Sequence, residues 1–172
     1  YDLHREQIFY ESNLSHAFVN LKPIVPGHVL VTPIRVVERF ADMTSEEVND
    51  LWKSVHQIGP KLERHFGCCA LNLAIQDGAA SGQSVPHVHV HILPRREGDF
   101  KRNDDIYEHL EQQNLDTVMD TTHIAMETTT AVDPAGERVP RTATDMAREA
   151  AMLRSLFPDN QPRCHQPQTT DS

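Results

Sequence analysis

Apolar positions recur with two different periods over residues 1–113. From Thr44 to Gly67 the residues Val48, Leu51, Trp52, Val55, Ile58, Leu62 and Phe66 return every three or four positions, the spacing of one face of an α-helix. Thr44 and Glu47 form the two halves of a capping box at its start, and Gly67 supplies a stop at its end. Pro60 falls inside the pattern. With no N–H and a ring that crowds the preceding turn, it predicts a kink. Elsewhere the period is two. QIFYES, HAFVN, the stretch 28–34 and CCALNLAIQ read as short strands, and HVHVHI at 87–92 alternates without a break.

From Asn114 to Pro140 both periods vanish and threonines cluster, which predicts a flexible linker. Met146, Ala150, Leu153 and Phe157 restore a helical face before Pro158. The chain therefore divides into a dense domain over 1–113, a linker over 114–140, a C-terminal helix within 141–157 that packs on that domain or on a dimer, and a polar, Pro/Gln-rich tail over 158–172 predicted to be disordered. Strand pairs joined by short loops, with helices packed on one face, define an α+β class with an antiparallel sheet of about five strands.

Composition narrows the function. The 172 residues suffice for one domain with its own core. A formal net charge of −9 argues against binding DNA or RNA, which calls for a basic surface. It leaves small anionic ligands open, because local groups decide those. Cys68, Cys69 and Cys164 are three cysteines, two of them adjacent. That is no disulfide framework, and it favours a reducing compartment, the cytoplasm first and the nucleus second. One cysteine of the adjacent pair is expected to face the core. No apolar run approaches the ~20 residues of a membrane span, and no secretory leader is legible.

The candidate chemistry lies in GQSVPHVHVHILPRR, Gly82 to Arg96. On a strand, His87, His89 and His91 share one face, each ~6.6 Å from the next, while Val88, Val90 and Ile92 face the core. Burying three titratable rings side by side without chemical use is costly. Two chemical readings compete. In one, two of the histidines ligate zinc with His28 or His4 as a third ligand, although no carboxylate or cysteine stands at ordinary ligand spacing. In the other, one neutral imidazole is a nucleophile towards phosphorus and its neighbours hold its tautomer and protonate a leaving group. The preceding loop offers amide N–H groups, a hydroxyl and a side-chain amide for phosphate oxygens through Gly82, Gln83, Ser84 and Val85, with Gln76 in reach. Arg95 and Arg96 read either as a polyphosphate-attracting step or as solvated surface.

HVHVHIL fits the histidine triad motif at every position. AFVNLKPIVPGHVLVTPIRVVERF, the 44–67 helix and IQDGAASGQSVPHVHVHILPRREGDFKRNDDIY extend the match over residues 7–113. The chain resembles the histidine triad (HIT) superfamily and, within it, the fragile histidine triad branch of dinucleoside triphosphate hydrolases. That resemblance implies a HIT-like fold and a homodimer whose sheets join. It implies cleavage of diadenosine triphosphate to AMP and ADP through adenylylated His89. It places His91 at the phosphate and leaving oxygen, His87 and His28 as orienting histidines, Gln76 in the catalytic group, and Asn20, Gln76, Gly82, Gln83, Ser84, Val85 and His91 as substrate contacts. It implies no tightly bound cofactor, with magnesium or manganese acting through the substrate phosphates. The alternatives it leaves are a phosphoramidase or adenylyl hydrolase of the same superfamily and a nucleotide-loaded signalling binder. Tyr1 falls, without gaps, where relatives carry a ligand-contacting histidine. Tyr107 matches a loop tyrosine, either a product-release or signalling site or simply a loop residue. Met119, Ile124 and Met126 are candidates to cover a dimer surface or the protomer's own core.

Overall fold

A computed structural model of the chain describes residues 4–111 and 139–162. Tyr1, Met119, Ile124, Met126, Cys164 and most of the expected linker and tail lie outside the described residues.

Five strands form one antiparallel sheet: β1 Ile8–Glu11, β2 Ser15–Val19, β3 Val29–Pro33, β4 Ala70–Ile75 and β5 Val90–Arg95, in the order β1-β2-β3-β5-β4. Helix α1, Ser45–Phe66, joins β3 to β4; a helix α2 occupies 105–111; α3 is Ala143–Arg154. The α+β expectation holds, with five strands, one long helix and a C-terminal helix.

Alternation sorts the strands into two faces. Ala17, Val19, Val29, Val31, Val90 and Ile92 lie on the face packed by the helices and are essentially inaccessible. Against them α1 presents Leu51, Val55, Ile58 and Leu62, and α3 presents Met146, Ala150 and Leu153, followed by Phe157; all belong to one core. Each of these larger side chains contributes about 1.5–3 kcal/mol by leaving water. Trp52 does not join them. One residue on from Leu51 turns it about 100° around the helix, and it is 40% exposed; Ser54 and Gly59 take the buried positions instead. Gly59 leaves no room for a Cβ, because Leu71 of β4 packs there.

The capping box of α1 is present in full, and Gly67 closes the helix at φ +62°. The helix runs continuously through Pro60. Helix α3 ends at Arg154, earlier than Pro158, but Phe157 remains buried beyond it. Its C-terminal end is tied down. Arg154 donates to the Ile8 and Glu6 carbonyls at 2.8 and 2.7 Å, and Lys61 donates to the Leu156 carbonyl at 2.6 Å.

A smaller cluster covers part of the opposite face: Ile24, Val25, Leu93, Ile106 and Leu110. Arg95 anchors it. Far from being a solvated step, Arg95 is 6% exposed, pairs with Asp99 at 2.7 Å, bonds Asn72 and Asn103, and lies over the Phe100 ring. Arg96 donates to the Phe66 carbonyl. Neither arginine is left facing solvent without a partner. The expectation that a cysteine of the adjacent pair faces the core also fails: Cys68 is half-buried and Cys69 exposed, because sheet pairing starts only at Ala70.

Candidate active site

The triad does not lie wholly on a strand. Pairing of β5 begins at Val90, so only His91 is within it. Upstream, the Val88 N–H leaves the sheet pattern for the Val37 carbonyl at 2.7 Å, and His87 N–H turns back to the Val85 carbonyl. The apolar alternation survives, with Val88, Val90 and Ile92 all buried, but the three imidazoles do not form one comb. Each is set by a different neighbour, and the hydrogen bonds assign each tautomer.

His28 is wholly buried at the start of β3. It follows Gly27, whose φ of +78° and closeness to the Phe66 ring admit only glycine. The Ile24 N–H donates to His28 Nδ1 at 3.2 Å, so the ring keeps its proton on Nε2 and gives it to His91 Nδ1 at 2.9 Å. His91 must then carry its own proton on Nε2, and that atom is buried with no hydrogen-bond partner. Asn20 amide nitrogen lies beside the His28 ring, while its Oδ1 accepts from Lys22 N–H at 3.0 Å.

His89 runs the other way. Its Nδ1–H donates to the His87 backbone carbonyl at 2.8 Å, which leaves a lone pair on Nε2. The His89 and His91 rings stand edge to face, 5.0 Å apart. A bare lone pair and a bare N–H are thus adjacent, which is a nucleophile beside a hydrogen-bond donor. Burial holds both rings below the ordinary imidazole range; for His91 the neighbouring His28 and His89 add to it. Both are neutral at pH 7.

His87 faces away from this pair. Its Nδ1 accepts from Val37 N–H at 3.1 Å and its Nε2–H points to Thr32 Oγ1 at 2.7 Å, while the Thr32 hydroxyl donates to the Val88 carbonyl at 2.6 Å. It orients His89 through its carbonyl, not its ring. With His28, His87 and His91 paired in this way, the only open lone pair of the group is His89 Nε2. Among the described residues no three His, Cys, Asp or Glu side chains are grouped to hold a metal ion, and His4 is exposed at the N-terminal edge.

Gln76 follows β4 directly. Ile75 pairs with Val90, so the next residue on each strand places Gln76 opposite His89. The Gly82–Val85 loop is nearby, but its glycine-freed amides are committed. Gly78, Gly82 and Gln83 N–H groups all donate within the loop, and the Gln83 side chain bridges Gly78 N–H and the Glu38 carbonyl. The N–H groups of Gly82 and Gln83, half of the expected nest, are therefore closed in this state.

Two residues escaped sequence reasoning. Thr32 and His16 are cross-strand partners on the triad face, in register between β3 and β2. Their signal was the polar phase of an alternating strand, which reads as solvent-facing. His16 packs edge-on to Phe18, and burial first, then the charge of His87, pushes its pKa down to about 4. An unfolded imidazole titrates at 6.5. Between these values the unfolded chain binds a proton that the native one refuses. Stability is complete above pH 6.5 and is lost as pH falls towards 4. Thermal unfolding at pH 7.5 and 5 is expected to show this drop, and His16→Phe to shrink it; an unchanged drop in the variant would discard His16 as its source.

Beside the triad lies a cavity of about 260 Å³ walled by Phe18, Val19, Leu21, Leu30 and Met146, with Gln7 and Asn20 as its polar members. Leu30 pairs with both Phe18 and His91 across the sheet. The Asn20 carbonyl accepts from Arg141, which Glu149 of α3 holds at 2.5 Å.

A family model described as the HIT domain matches residues 4–98. The chain belongs to the HIT domain family. The HIT relatives most like it include the bifunctional bis(5'-adenosyl)-triphosphatase/adenylylsulfatase FHIT of Arabidopsis thaliana, 45% identical over 91% of this chain and 81% of that protein. The asymmetrical bis(5'-nucleosyl)-tetraphosphatase of Schizosaccharomyces pombe is 43% identical over 90% of this chain and 91% of that one. Among HIT structures, the C. elegans NitFhit protein superposes with a TM-score of 0.64 at 36% identity, covering 88% of this chain and 27% of that chain. The resemblance to the fragile histidine triad branch is thereby met.

Proposed function

We propose that the protein is a dinucleoside polyphosphate hydrolase that cleaves diadenosine triphosphate to AMP and ADP. The observation that carries this reading is the adjacent pair of uncommitted nitrogens, His89 Nε2 and His91 Nε2–H. In the first step His89 Nε2 forms a bond to the α-phosphorus and the bond from phosphorus to the bridging oxygen breaks, with ADP leaving as its anion in a hydrogen bond from His91 Nε2–H. In the second, water adds to phosphorus, one of its protons passes to solvent, and the P–N bond breaks to release AMP and neutral His89. The covalent step replaces one hard displacement by two easier ones, and positioning supplies much of the rest.

His28 fixes the His91 tautomer, His87 fixes that of His89, and Gln76 contacts the reacting phosphate. The apolar cavity at Phe18 and Leu30 takes one base, since from Phe18 to His91 spans two strand spacings, about 10 Å, the reach of a nucleotide from base to phosphorus. Gly82, Gln83, Ser84 and Val85 contact the phosphate chain, with the loop exchanging internal bonds for substrate. Magnesium or manganese acts through the phosphates. Relatives named bis(5'-adenosyl)-triphosphatase/adenylylsulfatase and bis(5'-nucleosyl)-tetraphosphatase support this substrate class. The deciding experiment is a rapid quench with diadenosine triphosphate followed by intact mass and peptide mapping. One AMP on the peptide containing His89 supports the proposal, and turnover with no adduct on any histidine removes its covalent step.

The protein is also proposed to be a homodimer joined through β4. The β1 edge is met by Asn160, whose carbonyl accepts from Glu11 N–H. Among the described residues β4 pairs only with β5, and it exposes Leu73 at 47%. An open apolar edge of this kind invites a second strand. Light scattering should find a dimer, and Leu73→Glu a monomer; a monomeric parent protein at micromolar concentration would end the idea. No helix among the described residues is long and apolar enough to cross a membrane. The acidic balance disfavours DNA and RNA. The unpaired Cys68 and Cys69 suit the cytoplasm, with the nucleus as a second site.

A further inference from the structure

The cavity beside the triad holds two side-chain amides, and they differ in what they have left to offer. Asn20 is 3% exposed and already used, its Oδ1 by Lys22 N–H and its amide nitrogen against the His28 ring. Its carbonyl is taken by Arg141. Gln7 ends the short 3-10 turn Arg5–Gln7 before β1. It is half-buried, its backbone N–H bonds the His4 carbonyl, and among the described residues its side chain has no hydrogen-bond partner. The remaining walls are apolar: Phe18 and Leu30 from the sheet and Met146 from the firmly anchored α3. Flat apolar walls accept the faces of a heterocycle, and one uncommitted amide at the rim can read an edge.

We propose that Gln7 is the base-reading residue of this pocket and selects adenine. A carboxamide presents one acceptor and two donor hydrogens on neighbouring atoms. Adenine presents the complement, an N6 amino donor beside an N7 acceptor, and the two pair bidentately. Guanine places two acceptors, O6 and N7, on the same edge, so the Gln7 carbonyl would face a carbonyl. The inference rests on the reading that a nucleobase enters this cavity.

The test compares kcat/KM for diadenosine and diguanosine triphosphate within each protein. A ratio taken on one preparation cancels any loss of folded material. A bidentate pair discriminates by roughly 10- to 100-fold. The parent protein is expected to favour the adenine substrate by that factor, and Gln7→Met, of similar length without the amide, to bring the ratio within about threefold by raising KM for the adenine substrate alone. Gln7→Leu serves as the second variant should Gln7→Met fold poorly. A parent without base preference, or a variant that keeps it, overturns the assignment. If the parent hydrolyses neither substrate and AMP binds nowhere near Phe18, the functional reading itself fails, a result distinct from unchanged selectivity in an active enzyme.

Discussion

His89→Asn is expected to lower kcat on diadenosine triphosphate by about 10⁴-fold or more, the scale seen when a nucleophile is deleted from a unit that acts together, with substrate binding largely kept. The asparagine amide retains the hydrogen bond to the His87 carbonyl that His89 Nδ1–H makes at 2.8 Å, so the loop should hold its shape. What disappears is the Nε2 lone pair. His91→Asn should behave differently. It removes the hydrogen bond to the departing oxygen, worth roughly 10²- to 10³-fold where one such donor is lost, but only where the leaving oxygen needs that stabilisation. With an aryl ester of AMP, whose phenolate leaves unaided, His91→Asn should recover most of its activity and His89→Asn none. Equal losses for both variants on both substrates would mean the two rings act as one structural unit, and the division of labour drawn from their tautomers would be wrong.

The sheet, both helices of the core and the identity of the triad were legible in the sequence because burial wrote them there. Val88, Val90 and Ile92 had to face α1 whatever happened on the other side, and Leu51, Val55, Ile58 and Leu62 could meet a common core only on a helix. The errors came where a hydrogen bond overrides periodicity. The comb of three histidines failed because Val88 N–H bonds Val37 and the strand starts three residues late, at Val90. The free amides at Gly82 and Gln83 failed because those two N–H groups bond the Ala79 and Gly78 carbonyls of their own loop. Trp52 looked apolar and therefore buried, yet the helix face is decided by angle. His16 and Thr32 were invisible because a polar residue on an alternating strand gives no sign of whether water or a neighbouring histidine waits beyond it. The tautomer of His91, on which its role as a hydrogen-bond donor depends, is written at Ile24 and His28, 63 residues away in the case of the His28 contact.

Arg95→Met is expected to cost about 3 kcal/mol, the lower end of the range for removing one partner of a buried pair, and to lower Tm by about 10 °C in a chain of this size. The side chains of Arg95 and Asp99 are 7% and 19% exposed, so the attraction is little screened, and the guanidinium makes further bonds to Asn72 and Asn103 and covers Phe100. Arg95→Lys should recover little, because an ammonium lacks the planar fork that spans both Asp99 oxygens. The effect also has a pH signature. The Arg95 hydrogen bond is the main cause that holds the Asp99 carboxyl below its ordinary value of 3.8, so the stabilisation is complete above that value and is lost as pH falls through the lowered one. The variant should therefore lose less than the parent on going from pH 5 to pH 2.5. Adding Asp99→Leu to Arg95→Met should restore part of the loss, since the uncompensated carboxylate is then gone. Activity at 20 °C should change far less than Tm, because Arg95 holds the 99–110 cover over Leu93 and touches neither His89 nor His91. A denaturation midpoint indifferent to Arg95→Met would show that this cover is held by Leu93, Ile106 and Leu110 alone, with the arginine an ornament on an apolar contact.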